Sequence, residues 1–257
     1  MAEPVSPRIL ISNDDGINAP GIKTLEAVAR QITEDVWVVA PESNQSGAGH
    51  SLTLQRPLRI RRISERHIAV DGTPTDCIML ALQHLVPRDR TVDLVLSGVN
   101  RGVNIADDVT YSGTVAAAME ATLCRVRAIA FSQSVDHGQP VKWATAEHWA
   151  LPVIRALQEI DWPPGVLMNV NFPNRIAGSV EGIRVTRQGT RKIGDVIVER
   201  IDPRGEPYFW VGDMRSDAPP PADTDLHAIE NGFVSVTPIH LDMTHHASLD
   251  ALRARLE

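Results

Sequence analysis

Arg8-Ile9-Leu10-Ile11-Ser12-Asn13-Asp14-Asp15-Gly16 and, further on, Asp35-Val36-Trp37-Val38-Val39-Ala40-Pro41 are two short apolar runs, each stopped by turn residues. Neither alternates polar with apolar, so each reads as a strand buried on both faces. Between them Pro20-Gly21 opens a segment in which Ile22, Leu25, Val28, Ala29 and Ile32 recur on one helical face. Strand, helix and strand within about forty residues form a βαβ unit, whose parallel crossover is right-handed.

The same alternation continues outward. Helices are predicted over Thr75–Leu85, Gly113–Leu123 and Trp143–Ile160, the last kinked or started by Pro152. Strands are predicted over Val92–Ser97, Ala128–Ser132 and Val166–Phe172. This predicts an α/β fold, a three-layer αβα Rossmann-like arrangement around a mostly parallel sheet. After about residue 175 the texture changes. Val180–Val185 and Val196–Val198 read as antiparallel strands, Pro219-Pro220-Pro221 as an extended linker, and Phe233–Val236 as another strand. A small amphipathic helix begins near Leu249. The chain therefore reads as one domain over 1–257, with a core over 1–175 and a β-rich extension over 176–257.

Composition narrows the function. At 43% hydrophobic and 22% charged, the 257 residues suit a globular protein, not a disordered one. A net charge of −7 argues against a stable nucleic-acid complex, which needs a basic face. An anion must then be bound locally, by a metal or by oriented amides. Cys77 and Cys124 form no CxxC pair and read as buried thiols. No apolar run reaches membrane-spanning length and no signal-peptide pattern opens the chain, so a cytoplasmic location is expected.

Four loops at strand ends carry candidate chemistry, because open α/β sheets bind ligands at the carboxyl ends of their strands. Asp14 and Asp15 are adjacent carboxylates whose mutual repulsion a hard divalent cation would relieve; an Asx-turn is the plainer reading. Ser46, in the polar loop after the second strand, offers a metal oxygen. Asn100 offers a neutral amide oxygen and Asn104 a donor to phosphate, although both suit left-handed turns. Ser112 is a good N-cap, and Ser112-Gly113-Thr114 at a helix start offers amides to an anion. There is no GxxxxGK[ST], GxSxG or HExxH motif, and a Rossmann oxidoreductase would need a glycine-rich turn after strand one. A non-catalytic module binding nucleotides or phosphorylated partners stays open.

Ile11-Ser12-Asn13-Asp14-Asp15-Gly16, Ala19-Pro20-Gly21-Ile22, Ser46-Gly47, Gly72-Thr73-Pro74-Thr75-Asp76-Cys77, Ser97-Gly98-Val99-Asn100 and Tyr111-Ser112-Gly113-Thr114-Val115 occur in this order. Together they resemble the SurE survival-protein family, the stationary-phase 5'/3'-nucleotidases. The resemblance runs on through Asn169-Val170-Asn171-Phe172-Pro173 and Val234-Ser235-Val236-Thr237-Pro238, so it covers nearly the whole chain. It implies hydrolysis of nucleoside 5'- and 3'-monophosphates, and in some members of short polyphosphate. It also implies one divalent metal ion per subunit, Mg, Mn or Co, on Asp14, Asp15, Ser46 and Asn100. With that ligand set, Asn104, Ser112, Gly113 and Thr114 are expected to hold the phosphate while water attacks directly. A homodimer or homotetramer is implied, with a projecting hairpin over Ile193–Trp210 and an exchanged tail in which Asp242 and His246 form a structural pair. Ala106 and Ala121 stand where the family usually has glycine, which predicts altered loop geometry near Asp107-Asp108.

Overall fold

The computed structural model describes residues 6–191, 197–212 and 219–257. In chain order, β1 (Ile9–Ser12), α1 (Pro20–Ala29) and β2 (Val36–Pro41) form the predicted βαβ unit. Then come β3 (Ile60–Arg62), β4 (His67–Val70), α2 (Pro74–Leu80), β5 (Leu94–Arg101), α3 (Gly113–Leu123), β6 (Arg127–Gln133), α4 (Trp143–Gln158) and β7 (Val166–Phe172). The remainder supplies β8 (Ile183–Val185), β9 (Ile197–Ile201), β10 (Pro207–Val211), α5 (Asp225–Glu230), β11 (Val234–His240) and α6 (Leu249–Leu256).

Nine strands form one sheet in the order β3-β4-β2-β1-β5-β6-β7-β11-β8. The run from β4 to β7 is parallel throughout. β1 lies between β2 and β5, so the chain leaves it first to one side and later to the other. Such a reversal opens a crevice at the carboxyl ends of the two strands that flank it. Asp14 and Asp15 follow β1 and Asn100 ends β5, which puts all three at that crevice.

Alternate residues of the buried strands feed two cores. Ile9, Ile11, Val36 and Val38 pack with Ile22, Leu25 and Val28 of α1 and with Ala146 and Ile154 of α4. Leu10, Trp37 and Val39 point to the other face, toward Cys77 and Ile78 of α2 and Val115 and Ala118 of α3. Gly21 lets α1 approach β5 closely: a Cβ there would lie 1.9 Å from the Val99 carbonyl oxygen. Cys77 is buried, Cys124 is partly buried, and both are free thiols.

Several elements differ from the sequence reading. Residues 180–185 and 197–198 do not pair with each other. β8 joins the main sheet parallel to β11, whereas β9 pairs antiparallel with β10 in a separate hairpin. Apolar periodicity identifies a strand but not its partner. The sequence reading does not include the short strands β3 and β4; β4 has only three apolar residues after His67. The predicted helix over Thr75–Leu85 is α2 followed by a wider π-helical turn over Ala81–Leu85. Pro152 lies inside α4, not at its first turn. Ile193–Val196, part of the expected hairpin, fall outside the described residues, whereas its β9–β10 stem is formed.

Ala106 takes a left-handed backbone, φ 52°, instead of reshaping the loop to avoid it. That conformation costs an L-residue about 1–2 kcal/mol. It is held by the Ala106 amide donating to Asp225 Oδ2 at 2.9 Å and by Gln188 Nε2 donating to the Ala106 carbonyl at 2.9 Å. Ala121 is a fully buried residue of α3, where alanine is the better helix former.

The Asp225 carboxylate is fully buried. It also accepts the Gly189 and Leu226 amides, each at 2.8 Å. It thus joins the loop after β5, the segment after β8 and the start of α5. Asp225→Ala leaves three amides without their acceptor and should destabilise the fold by at least about 3 kcal/mol. Thermal unfolding should shift down by roughly 6–12 °C. A change within about a degree would mean that the three segments are held by packing alone.

Candidate active site

The turn after β1 is closed by Asn13, whose Oδ1 accepts the Gly16 amide at 3.2 Å while its Nδ2 donates to the Gly16 carbonyl at 2.9 Å. The Asx-turn reading is therefore correct for Asn13, and it leaves both aspartates free of turn duty. Asp14 is 4% exposed. The Thr114 hydroxyl donates to its Oδ1. Burial raises its pKa to about 6; the bond from Thr114 opposes that shift and the neighbouring Asp15 charge adds to it. Among the described residues no cationic side chain acts on Asp14. Asp15 is also raised by burial, opposed by the Arg101 amide, which donates to Oδ2 at 3.0 Å. Among the described residues its Oδ1 has only a long contact with Asn44 Nδ2, 3.4 Å.

The loop after β2 is tied to this turn, because the Gln45 amide donates to the Asp14 carbonyl at 2.7 Å. Ser46 follows and stays exposed. The Asn100 amide nitrogen donates to the Gly102 carbonyl at 2.9 Å, which fixes its orientation and leaves Oδ1 as an open acceptor. Asn104 is buried and held from three sides. Its amide donates to Asn171 Oδ1 at 2.8 Å, its carbonyl accepts from Asn169 and Asn171, and its Nδ2 donates to Ser132 Oγ at 2.8 Å. One hydrogen of that Nδ2 is thereby engaged, and the second remains.

At the start of α3, Ser112 is the predicted N-cap, its Oγ accepting the Val115 amide at 3.0 Å. Thr114 is fully buried and its hydroxyl is engaged by Asp14, so as placed it orients a carboxylate instead of facing a phosphate. Gly113 matters for what it lacks: a Cβ would lie 2.7 Å from Asp14 Cβ.

A cavity of about 690 Å³ brings Asp14, Ser46, Asn100, Asn104 and Ser112 onto one wall system. Its size is within the ordinary range for small-ligand sites. Asp15, Gly113 and Thr114 adjoin it through Asp14 and the Arg101 amide without lining it. Among the described residues no group of three His, Cys, Asp or Glu side chains is placed to hold a metal ion. Any ion at Asp14 must therefore draw on neutral oxygens, and those of Ser46 and Asn100 share the cavity with it.

The sequence reading missed Asp108, which is buried, lines the cavity and pairs with the Arg191 guanidinium. Burial raises its pKa and Arg191 opposes the shift. It also missed what Asn169 and Asn171 do for the Asn104 loop. Two polar amides inside an otherwise apolar β7 run were the available signal, since a buried amide in a strand needs a partner.

The profile described as Survival protein SurE matches residues 9–195. The chain is 58% identical to the 5'-nucleotidase SurE of Paramagnetospirillum magneticum over 252 residues, 98% of this chain and 96% of that one. This chain belongs to the SurE family. A SurE relative from Brucella canis, also described as a 5'-nucleotidase, is 53% identical over 97% of this chain and 98% of its own. The crystal structure of the SurE protein from Aquifex aeolicus matches with a TM-score of 0.85 at 37% identity, covering 96% of this chain and 99% of that one. The expected mostly parallel α/β sheet with a separate hairpin is thus the fold both of this chain and of that SurE neighbour.

Proposed function

We propose that this chain is a divalent-metal-dependent phosphomonoesterase that hydrolyses nucleoside 5'- and 3'-monophosphates to nucleoside and phosphate, with short polyphosphate as a further candidate substrate. The observation that carries it is the buried Asp14 carboxylate, which has no cationic partner among the described residues and shares one cavity with Ser46, Asn100, Asn104 and Ser112. The SurE relatives described as 5'-nucleotidases support the substrate class.

The donor set fits a hard cation: two carboxylates and two neutral oxygens leave positions open for water and substrate. Asp14, Asp15, Ser46 and Asn100 would hold one Mg, Mn or Co ion per subunit. Bound there, the ion supplies Lewis acidity to a phosphoryl oxygen and to the attacking water. The protein's own groups do the rest. Thr114 fixes the Asp14 carboxylate in one rotamer. The free hydrogen on Asn104 Nδ2, the Ser112 hydroxyl and the first amides of α3, from Gly113 and Thr114, stabilise charge on the phosphoryl oxygens. Asp15 Oδ1, the less engaged of its two oxygens, would accept the proton of the attacking water as the opposite bond from phosphorus to the sugar oxygen breaks, and the departing sugar oxygen takes its proton from solvent water.

Assembly into a homodimer or homotetramer completes the proposal. Tyr208 and Trp210 of the hairpin are 42 and 64% exposed, and α6 has no buried residue. A lone two-stranded hairpin is marginal in water, so both elements suit a partner copy and a tail exchanged between copies. Asp242 and His246 pair at 3.0 Å in the segment leading to α6, as a structural pair would. No helix among the described residues is long and apolar enough to cross a membrane. We place the protein in the cytoplasm as one domain, with 1–175 carrying the site and 176–257 serving assembly.

The test is phosphate release from AMP and GMP with Mn and then with EDTA. Release should need Mn, stop with EDTA and return when Mn is restored. Metal-dependent nucleotide binding without phosphate release would instead leave a binding module.

A further inference from the structure

The cavity that holds Asp14 has a second chemistry in its wall. Val103, Tyr111, Ile197 and Val211 line it as well, and all but the tyrosine are purely apolar. The phosphate chemistry described above uses none of them.

Tyr111 immediately precedes the Ser112 cap. Its backbone is pinned from both sides, the amide donating to the Asp108 carbonyl at 3.0 Å and the carbonyl accepting the Gly49 amide at 3.1 Å. The residue nevertheless stays 49% exposed. An aromatic side chain on a fixed root, half open to a cavity, is a preorganised stacking platform.

Ile197 and Val211 are directly paired across the β9–β10 hairpin. Strand alternation puts Glu199 and Phe209 on their face, and Val198, Trp210, Arg200 and Tyr208 on the other. Tyr208 and Trp210 meet edge to face at 6.5 Å on that other face. The hairpin thus has one side for the cavity and one for a partner copy.

We propose that Tyr111, Ile197 and Val211 form the seat of the nucleobase, so that the hairpin is a wall of the active site as well as an assembly element. The proposal rests on the nucleotidase reading above. Val103, Ile197 and Val211 offer no hydrogen-bonding side chain, so this seat holds a planar heteroaromatic ring by stacking and apolar contact. It recognises that a base is present more than which base it is.

The test compares kcat/KM of the full-length, Mn-loaded protein on AMP and on ribose 5-phosphate, which has the same sugar and phosphate but no base. Tyr111→Ala should lower the AMP value on the order of 10–100-fold, mainly through KM, as lost base stacking does. The ribose 5-phosphate value should change by less than about threefold. Tyr111→Phe should restore AMP turnover, and Ile197→Ser with Val211→Ser should raise KM for AMP alone. An equal fall on both substrates, or an unchanged AMP value, overturns the base seat while leaving the nucleotidase reading intact. Failure of the unmodified protein to hydrolyse AMP removes that reading and the seat with it.

Discussion

Asp14→Asn should abolish turnover while making the metal-free protein more stable. The two effects have one cause. Asp14 is buried without a cationic partner among the described residues, and its pKa rises from the usual 3.8 to about 6. A carboxylate whose folded pKa lies above its unfolded value opposes folding whenever it is ionised. The penalty is absent below pH 3.8, grows between 3.8 and about 6, and is complete above. At 1.4 kcal/mol per pH unit it is on the order of 3 kcal/mol at neutral pH.

Asparagine keeps the acceptor for the Thr114 hydroxyl and removes the charge. The metal-free variant should therefore unfold higher at pH 7.5, by roughly 2–4 °C for each kcal/mol recovered. Below about pH 4 the two proteins should converge, because the native aspartate is then neutral as well. Mn should raise the unfolding temperature of the parent and leave that of the variant unchanged. Loss of a carboxylate that neutralises the ion and positions it should lower kcat/KM by at least about 10³-fold. Calorimetry across pH with a phosphate-release assay reads all of this. A variant that is both less stable and still active would show that Asp14 is a structural residue.

That stored instability explains why the centre of the site was legible in the sequence. Adjacent aspartates after an apolar strand are an expensive arrangement, and the βαβ pattern alone placed them at the carboxyl edge of the sheet. The order β2-β1-β5 then sets the crevice beside Asp14 and Asn100, and it follows from packing helices on both faces. What was not legible is what depends on partners distant in the chain. The Thr114 hydroxyl reads as an anion donor until a residue 100 positions away is found holding it. Asn104 is steadied by Asn169 and Asn171, 65 and 67 positions on. β8 pairs with β11 instead of β9, because a three-residue strand such as Ile183-Arg184-Val185 carries no information about its neighbour. Ala106 shows the limit from the other side. Its residue type argues against a left-handed backbone, yet hydrogen bonds to Asp225 and Gln188 hold it at φ 52°.

Gly113→Ala is expected to disable the site without replacing any proposed metal ligand or removing any hydrogen-bonding group. Gly113 is the first residue of α3, and its backbone is not in the left-handed region. Alanine there is conformationally acceptable, and as a helix former it is the better residue. The obstacle is space. A Cβ would lie 2.7 Å from Asp14 Cβ, 3.0 Å from Asp14 Oδ2 and 3.2 Å from Pro74 Cγ. Neither neighbour yields easily: Asp14 Cβ is fixed to the end of a central strand, and Pro74 is the buried first residue of α2. Either the start of α3 retreats or Asp14 turns away, and both separate the carboxylate from the Thr114 hydroxyl. A misplacement of about 1 Å in a catalytic constellation is enough to reduce turnover 10²-fold. The expected result is a fall in kcat/KM on the order of 100-fold with weaker Mn binding, and a stability loss of about 1–3 kcal/mol from overpacking. Gly178→Ala is the matched control, since a Cβ there meets nothing within 4 Å. It should leave both turnover and unfolding unchanged. If Gly113→Ala turned over AMP like the parent, close apposition of α3 and Asp14 would not be a requirement of the chemistry, and the role given to Thr114 would have to be withdrawn with it.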